Sequence, residues 1–118
     1  MYLSIFEAIE NRYLLQFHYC GYSRIIEPHV YGHDLRFGDV VRGYQVAGAD
    51  ESGKHRGWKW FRTSKIEDLQ ILPTHFAGPR NGAHATVERL DRVFTALDGM
   101  TLPHGPTRAL PPDCVVDC

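Results

Sequence analysis

The chain has 118 residues, enough for one hydrophobic core of common domain size. Its 43% hydrophobic and 23% charged residues exclude a disordered polymer, and no apolar run approaches the roughly 18 residues of a membrane span. A net charge of −1 gives no overall attraction to nucleic acid, so any such binding must come from a local patch.

Ser4, Ile5, Phe6 and Glu7 fit the S-x-x-E capping box and predict a short helix from Ile5 to Asn11, with Ile5 and Ile9 one turn apart. From Tyr13 the period changes to two. Tyr13, Leu15, Phe17 and Tyr19 alternate with Leu14, Gln16, His18 and Cys20, which predicts a strand. Gly21, Tyr22 and Ser23 form a short connection to a second strand, Arg24 to Tyr31, in which Pro28 calls for an edge position or a bulge.

Gly32 to Gly38 is expected to be a polar loop. In the next strand, Asp39 to Gly48, Val40, Arg42, Tyr44 and Val46 share one face. Asp50 to Gly53 carries turn residues, Trp58 to Thr63 is an aromatic-rich fourth strand, and Asp68 to Leu72 is a fifth that Pro73 terminates. Five short strands after one helix favour an SH3-like or Sm-like β-barrel that closes its own edges.

Beyond this, Val87, Leu90, Phe94 and Leu97 keep helical spacing within Thr86 to Leu97, with Gly99 as the stop, and predict a C-terminal amphipathic helix. The expected organisation is a barrel domain with its N-terminal helix over residues 1–76, a linker and helix over 77–99, and a Pro-rich flexible tail over 100–118. The N-terminus lacks the basic, apolar and small-residue pattern of a leader, so the cytoplasm is the expected location, with no membrane partner. Three cysteines, Cys20, Cys114 and Cys118, are an odd number with two crowded at the end, which favours reduced thiols.

Chemistry concentrates in the middle of the chain. Between Arg36 and Ile66 seven basic residues stand against three acidic ones. Arg42 and Tyr44 on the third strand, with Trp58, Trp60 and Arg62 on one face of the fourth, combine guanidinium forks for phosphate with aromatic faces on which a base can stack. The bland alternative is that the aromatics are core and the arginines a solvated rim.

The ordered segments Ala8-Ile9, Leu15 to Tyr19, Arg24-Ile-Ile-Glu-Pro28, Tyr31-Gly32 and Phe61-Arg-Thr-Ser-Lys-Ile66 resemble the WYL domain, a family of Sm-like barrels in bacterial regulators and defence-associated proteins. The Trp-Tyr-Leu tripeptide that names the family is absent; its strand reads Val40 to Val46, and Tyr44 is what survives. The resemblance implies a sensory or regulatory module that binds nucleotides or nucleic acid, and it adds Arg24, Tyr31 and Lys65 to the candidate ligand contacts.

No metal site is expected. His29 and His33 lie four apart outside a helix, and there is no C-x-x-C pair. No cofactor motif and no G-x-S-x-G, P-loop or H-E-x-x-H occurs, and the pair His18 and Cys20 lacks a visible orienting group, so the chain reads as non-catalytic. The two functional readings are a domain that binds a nucleotide-like ligand or single-stranded nucleic acid, pairing with itself or an effector protein, and a purely structural interaction or oligomerisation domain.

Overall fold

The computed structural model describes residues 2–49, 56–80 and 90–97 and the backbone of Val115–Val116. Helix α1 (Leu3–Asn11) opens the chain with Tyr2 as its N-cap. The predicted capping box is not formed, since no side chain caps the helix. Its start is fixed from outside instead: the Tyr2 backbone N–H donates to the Tyr31 hydroxyl at 3.0 Å. Ile5, Ala8 and Ile9 form the buried stripe that helical periodicity requires, and Arg12 ends the helix in the left-handed conformation, φ 60°.

Strands β1 (Tyr13–Tyr19) and β2 (Tyr22–Asp34) form a hairpin across Cys20 and Gly21, both at positive φ. β2 continues into the predicted polar loop as far as Asp34. Its end is set by Asp34, whose carboxylate accepts the backbone N–H groups of Arg36 and Phe37 at 2.7 and 3.1 Å and turns the chain into β3 (Gly38–Gly48). Then come β4 (Gly57–Arg62), a single 3₁₀ turn (Thr63–Lys65) and β5 (Glu67–His75). β6 (Arg92–Ala96) and β7 (Val115–Val116) complete the described elements. The predicted turn at Asp50 to Gly53 lies outside the described residues, as does the expected flexible tail apart from β7.

The strands form one sheet in the order β5, β1, β2, β3, β4, β7, with β6 added to β2. β2 is the spine. β3 runs along one of its edges from Arg24 to Asp34; on the other, β1 pairs the Tyr22 to Ile26 half and β6 pairs Val30 to His33. Pro28 sits at the junction, where a register shift between Pro28 and Val30 absorbs the missing donor. Of its two expected settings the bulge is realised, in an interior strand. Pro73 does not terminate β5; the strand runs to His75 and carries the proline through a register irregularity against β1, on a strand paired only by β1 among the described residues.

The expected closed barrel and C-terminal helix are both corrected. The sheet, antiparallel except where β7 pairs β4 in parallel, is open rather than a closed barrel, because among the described residues its outermost strands, β5 and β7, do not pair with each other. The predicted C-terminal helix is contradicted over its second half: Arg92–Ala96 is a strand, bracketed by Asp91 N–H donating to the His33 carbonyl at 3.2 Å and Leu97 N–H to the His29 carbonyl at 2.9 Å. The unpaired half of β2 supplies a ladder that Val93, Phe94 and Thr95, all strand-favouring residues, complete. The first part of that predicted helix, residues 86–89, lies outside the described residues. No described helix is long and apolar enough to cross a membrane.

Two cores result. On one face α1 delivers Ile5, Ala8 and Ile9 onto Leu15, Phe17, Tyr19, Ile26, Tyr31, Val41 and Phe61, with Ile66 and Leu97 at its margins. Phe17, Tyr19 and Phe61 form an edge-to-face triangle with centroids 5.0 to 6.3 Å apart. On the opposite face Val30, Val40, Trp60 and Leu90 form a smaller core. Cys20 is disulfide-bonded, which corrects the expectation of reduced thiols; the other cysteines, Cys114 and Cys118, lie outside the described residues.

Candidate recognition site on the third and fourth strands

Cross-strand register assembles the site. Arg42 faces Trp60 and Tyr44 faces Trp58 between β3 and β4, and directly opposed residues share a face of the sheet. The Arg42 guanidinium lies 4.6 Å from the Trp58 ring centroid and 5.4 Å from that of Trp60. Tyr44 meets Trp58 edge to face at 5.5 Å. Four of the sequence-predicted residues therefore stand together as a cation and aromatic ladder. Arg62 continues it one pair further along, opposite Val40, with its guanidinium 5.8 Å from the Phe37 ring.

The ladder is graded in exposure. Trp60 is fully buried and Arg42 is 8% exposed, whereas Tyr44, Trp58 and Arg62 are half-buried.

The other candidates lie elsewhere. Arg24 is buried on the opposite face, where its Nε and Nη2 donate to the Tyr19 carbonyl at 3.3 and 3.2 Å and its Nη1 to the Gln45 side chain at 3.5 Å. Its guanidinium also lies within 5.7 Å of the rings of Tyr19, Tyr22 and Phe61. Tyr31 is buried in the larger core with its ring 5.0 Å from Phe94, and burial raises its phenol above the usual value. Lys65 is half-buried at the end of the 3₁₀ turn.

Three residues outside the predicted set complete the cluster. Glu27 and His29 come from β2, and Arg80 from the irregular segment after β5. Arg80 donates through Nε and Nη2 to the two Glu27 carboxylate oxygens at 2.5 and 3.1 Å, while its guanidinium lies 4.0 Å from the Tyr44 centroid. The Glu27 pairing raises the Arg80 pKa further. His29 is fully buried between Trp58, edge to face at 4.7 Å, and Phe76, stacked at 5.7 Å. Its Nδ1 is 2.8 Å from the Glu27 carbonyl and its Nε2 is 3.2 Å from the Arg80 backbone nitrogen. A carbonyl only accepts and a backbone N–H only donates, so the imidazole is neutral with its proton on Nδ1. Burial lowers the His29 pKa; the hydrogen bond to the Glu27 carbonyl and the Glu27 charge oppose it in part, and the charges of Arg42 and Arg80 add smaller downward pulls.

A concavity of about 290 Å³ is lined by His18, Tyr19, Cys20, Gly21 and Glu67. His18 has a partner there, Asp68, at 3.0 Å, but Cys20 is committed to its disulfide. His29 and His33 do not converge: His33 meets Asp39 at 2.9 Å, and no group of three or more metal-ligating side chains occurs among the described residues. No protein-family model, curated protein or solved structure matches the chain.

Proposed function

We propose that the chain is a non-catalytic recognition domain that takes a nucleotide-like ligand or single-stranded nucleic acid on the face built by Arg42, Tyr44, Trp58 and Arg62. The supporting observation is the ladder itself, a guanidinium 4.6 Å from a half-buried tryptophan with a second aromatic ring 5.5 Å away. A base stacks on the indole without regard to sequence, and the arginines supply fixed donors for phosphate. The resemblance to WYL domains points to the same ligand class and a regulatory role through self-association or an effector protein.

Titration of short single-stranded RNA and DNA and of free nucleotides, followed by tryptophan fluorescence, tests this. The signal is expected to change and to weaken with salt, because phosphate contacts release counterions. Trp58→Leu is expected to weaken binding at least about fivefold, a stacked base being worth roughly 1–3 kcal/mol. Silence with all three probes, or unchanged affinity in Trp58→Leu, rejects the proposal.

A second reading, a structural interaction domain without a small ligand, is favoured by the burial of Arg42 and Trp60. It expects Arg42→Ala to lower thermal stability with no binding to lose.

A further inference from the structure

The geometry points to a second recognition element, distinct in chemistry from the nucleotide reading and not dependent on it: the corner formed by Glu27, His29 and Tyr44 is an arginine-recognition site. It is filled here by the chain's own Arg80, and it is suited to take an arginine-bearing peptide of a partner protein in Arg80's place.

The argument rests on three contacts that read different features of one residue. Glu27 receives the guanidinium fork with both carboxylate oxygens, at 2.5 and 3.1 Å. Tyr44 offers its ring 4.0 Å from the same guanidinium. His29 Nε2 accepts the backbone N–H of that residue at 3.2 Å, so the site reads a peptide as well as a side chain. A lysine ammonium is a point charge and cannot make the paired, planar contact with the carboxylate.

The two sides of this contact are built differently. The receiving groups lie on β2 and β3, adjacent strands in the middle of the sheet, and are braced: His29 by Trp58, Phe76 and the Glu27 carbonyl, Tyr44 by Trp58. The occupant belongs to an irregular segment after β5, and its side chain is 40% exposed against 12% for Glu27. Removing Arg80 would leave a nearly buried carboxylate uncompensated, which makes the vacated corner strongly selective for a replacement guanidinium. While Arg80 is seated its local concentration is high, so a competing peptide must overcome an intramolecular contact. An arginyl peptide that succeeds would release the segment carrying Arg80 and so change what lies beside the Tyr44 and Trp58 rings.

The experiment uses the full chain carrying Arg80→Ala and the probe acetyl-Gly-Pro-Arg-amide, which repeats the sequence of residues 78–80. Titration by calorimetry is expected to show binding to Arg80→Ala that is at least tenfold tighter than to the wild type. The same peptide ending in lysine should bind at least tenfold more weakly, and adding Glu27→Gln to Arg80→Ala should remove binding. A folded Arg80→Ala chain that ignores the peptide overturns the proposal. So does equal affinity for the arginine and lysine peptides, or for the chains with and without Glu27→Gln. Should Arg80→Ala fail to fold, the wild type serves: excess arginine peptide must move the Arg80 side-chain Nε–H resonance to its solvent-exposed position while the lysine peptide does not, and an unmoved resonance rejects the site.

Discussion

At the scale of single residues, His29 links burial to a measurable pH dependence. Its folded pKa is lowered, chiefly by desolvation, so the unfolded chain binds this proton more readily than the folded one. Stability from this group is therefore complete above the ordinary histidine value of about 6.5 and falls as the pH drops below it, until the folded pKa is reached. His29→Gln retains a donor and an acceptor but does not titrate. It is expected to flatten the loss of stability below that pH, measured by urea denaturation across the acidic range, and parallel wild-type and variant profiles would show that another group dominates. The pairing of Arg42 and Tyr44 with Trp58 and Trp60 was legible in the sequence because strand alternation places such residues on one face without knowledge of distant contacts. Glu27, His29 and Arg80 were not legible as a unit. Arg80 is 53 residues from Glu27 and 51 from His29, in an irregular segment where no periodicity reports on direction. Arg24, which the resemblance offers as a ligand contact, is enclosed by three rings and two acceptor groups, partners that its position near a strand end does not reveal.

At the scale of elements, the strand β6 shows why the C-terminal helix was misread. Leu90, Phe94 and Leu97 satisfy helical spacing, but apolar spacing alone does not reveal that β2 has an unpaired ladder waiting. The contact is tight: a Cβ built on Gly32 would come within 2.3 Å of the Arg92 carbonyl oxygen and 2.8 Å of Leu90 Cδ1. The first of these is backbone and cannot move aside without disturbing the ladder. Gly32→Ala is therefore expected to cost about 1–3 kcal/mol, the usual range for overpacking. Its signature should be local, with amide protection lost first at Val93 and Thr95 and retained in β1, as read by hydrogen exchange. Uniform loss of protection, or none, would show that β6 is not held through this approach. The end strand β5 presents the opposite design. Exposed Glu67 and Asp68, the left-handed Asp68 at φ 53°, and Pro73 all make it a poor template for a further strand.

At the scale of the whole molecule, five of the seven described strands were legible because period-two patterning reports each strand separately; closure was not, because it depends on how far the ends of the sheet travel around the core. β2 is interrupted by a bulge at Pro28 and serves two different neighbours on one edge, so the sheet is extended by β6 rather than by joining β5 to β4. An open sheet with two separate cores must be held together across its faces. α1 does so for the larger core, reaching β1, β2, β5 and β6. The Cys20 disulfide adds a covalent constraint at the β1 to β2 turn. A disulfide stabilises chiefly by removing conformational freedom from the unfolded chain. Cys20→Ser, or reduction of the wild type, is accordingly expected to lower unfolding stability by about 2–5 kcal/mol, measured by paired denaturation curves with and without a thiol reductant. The two perturbations should not add, because each removes the same bond. A reductant effect that persists undiminished in Cys20→Ser would place the constraint elsewhere in the chain, and a Cys20→Ser chain as stable as the oxidised wild type would mean that the open sheet holds without it.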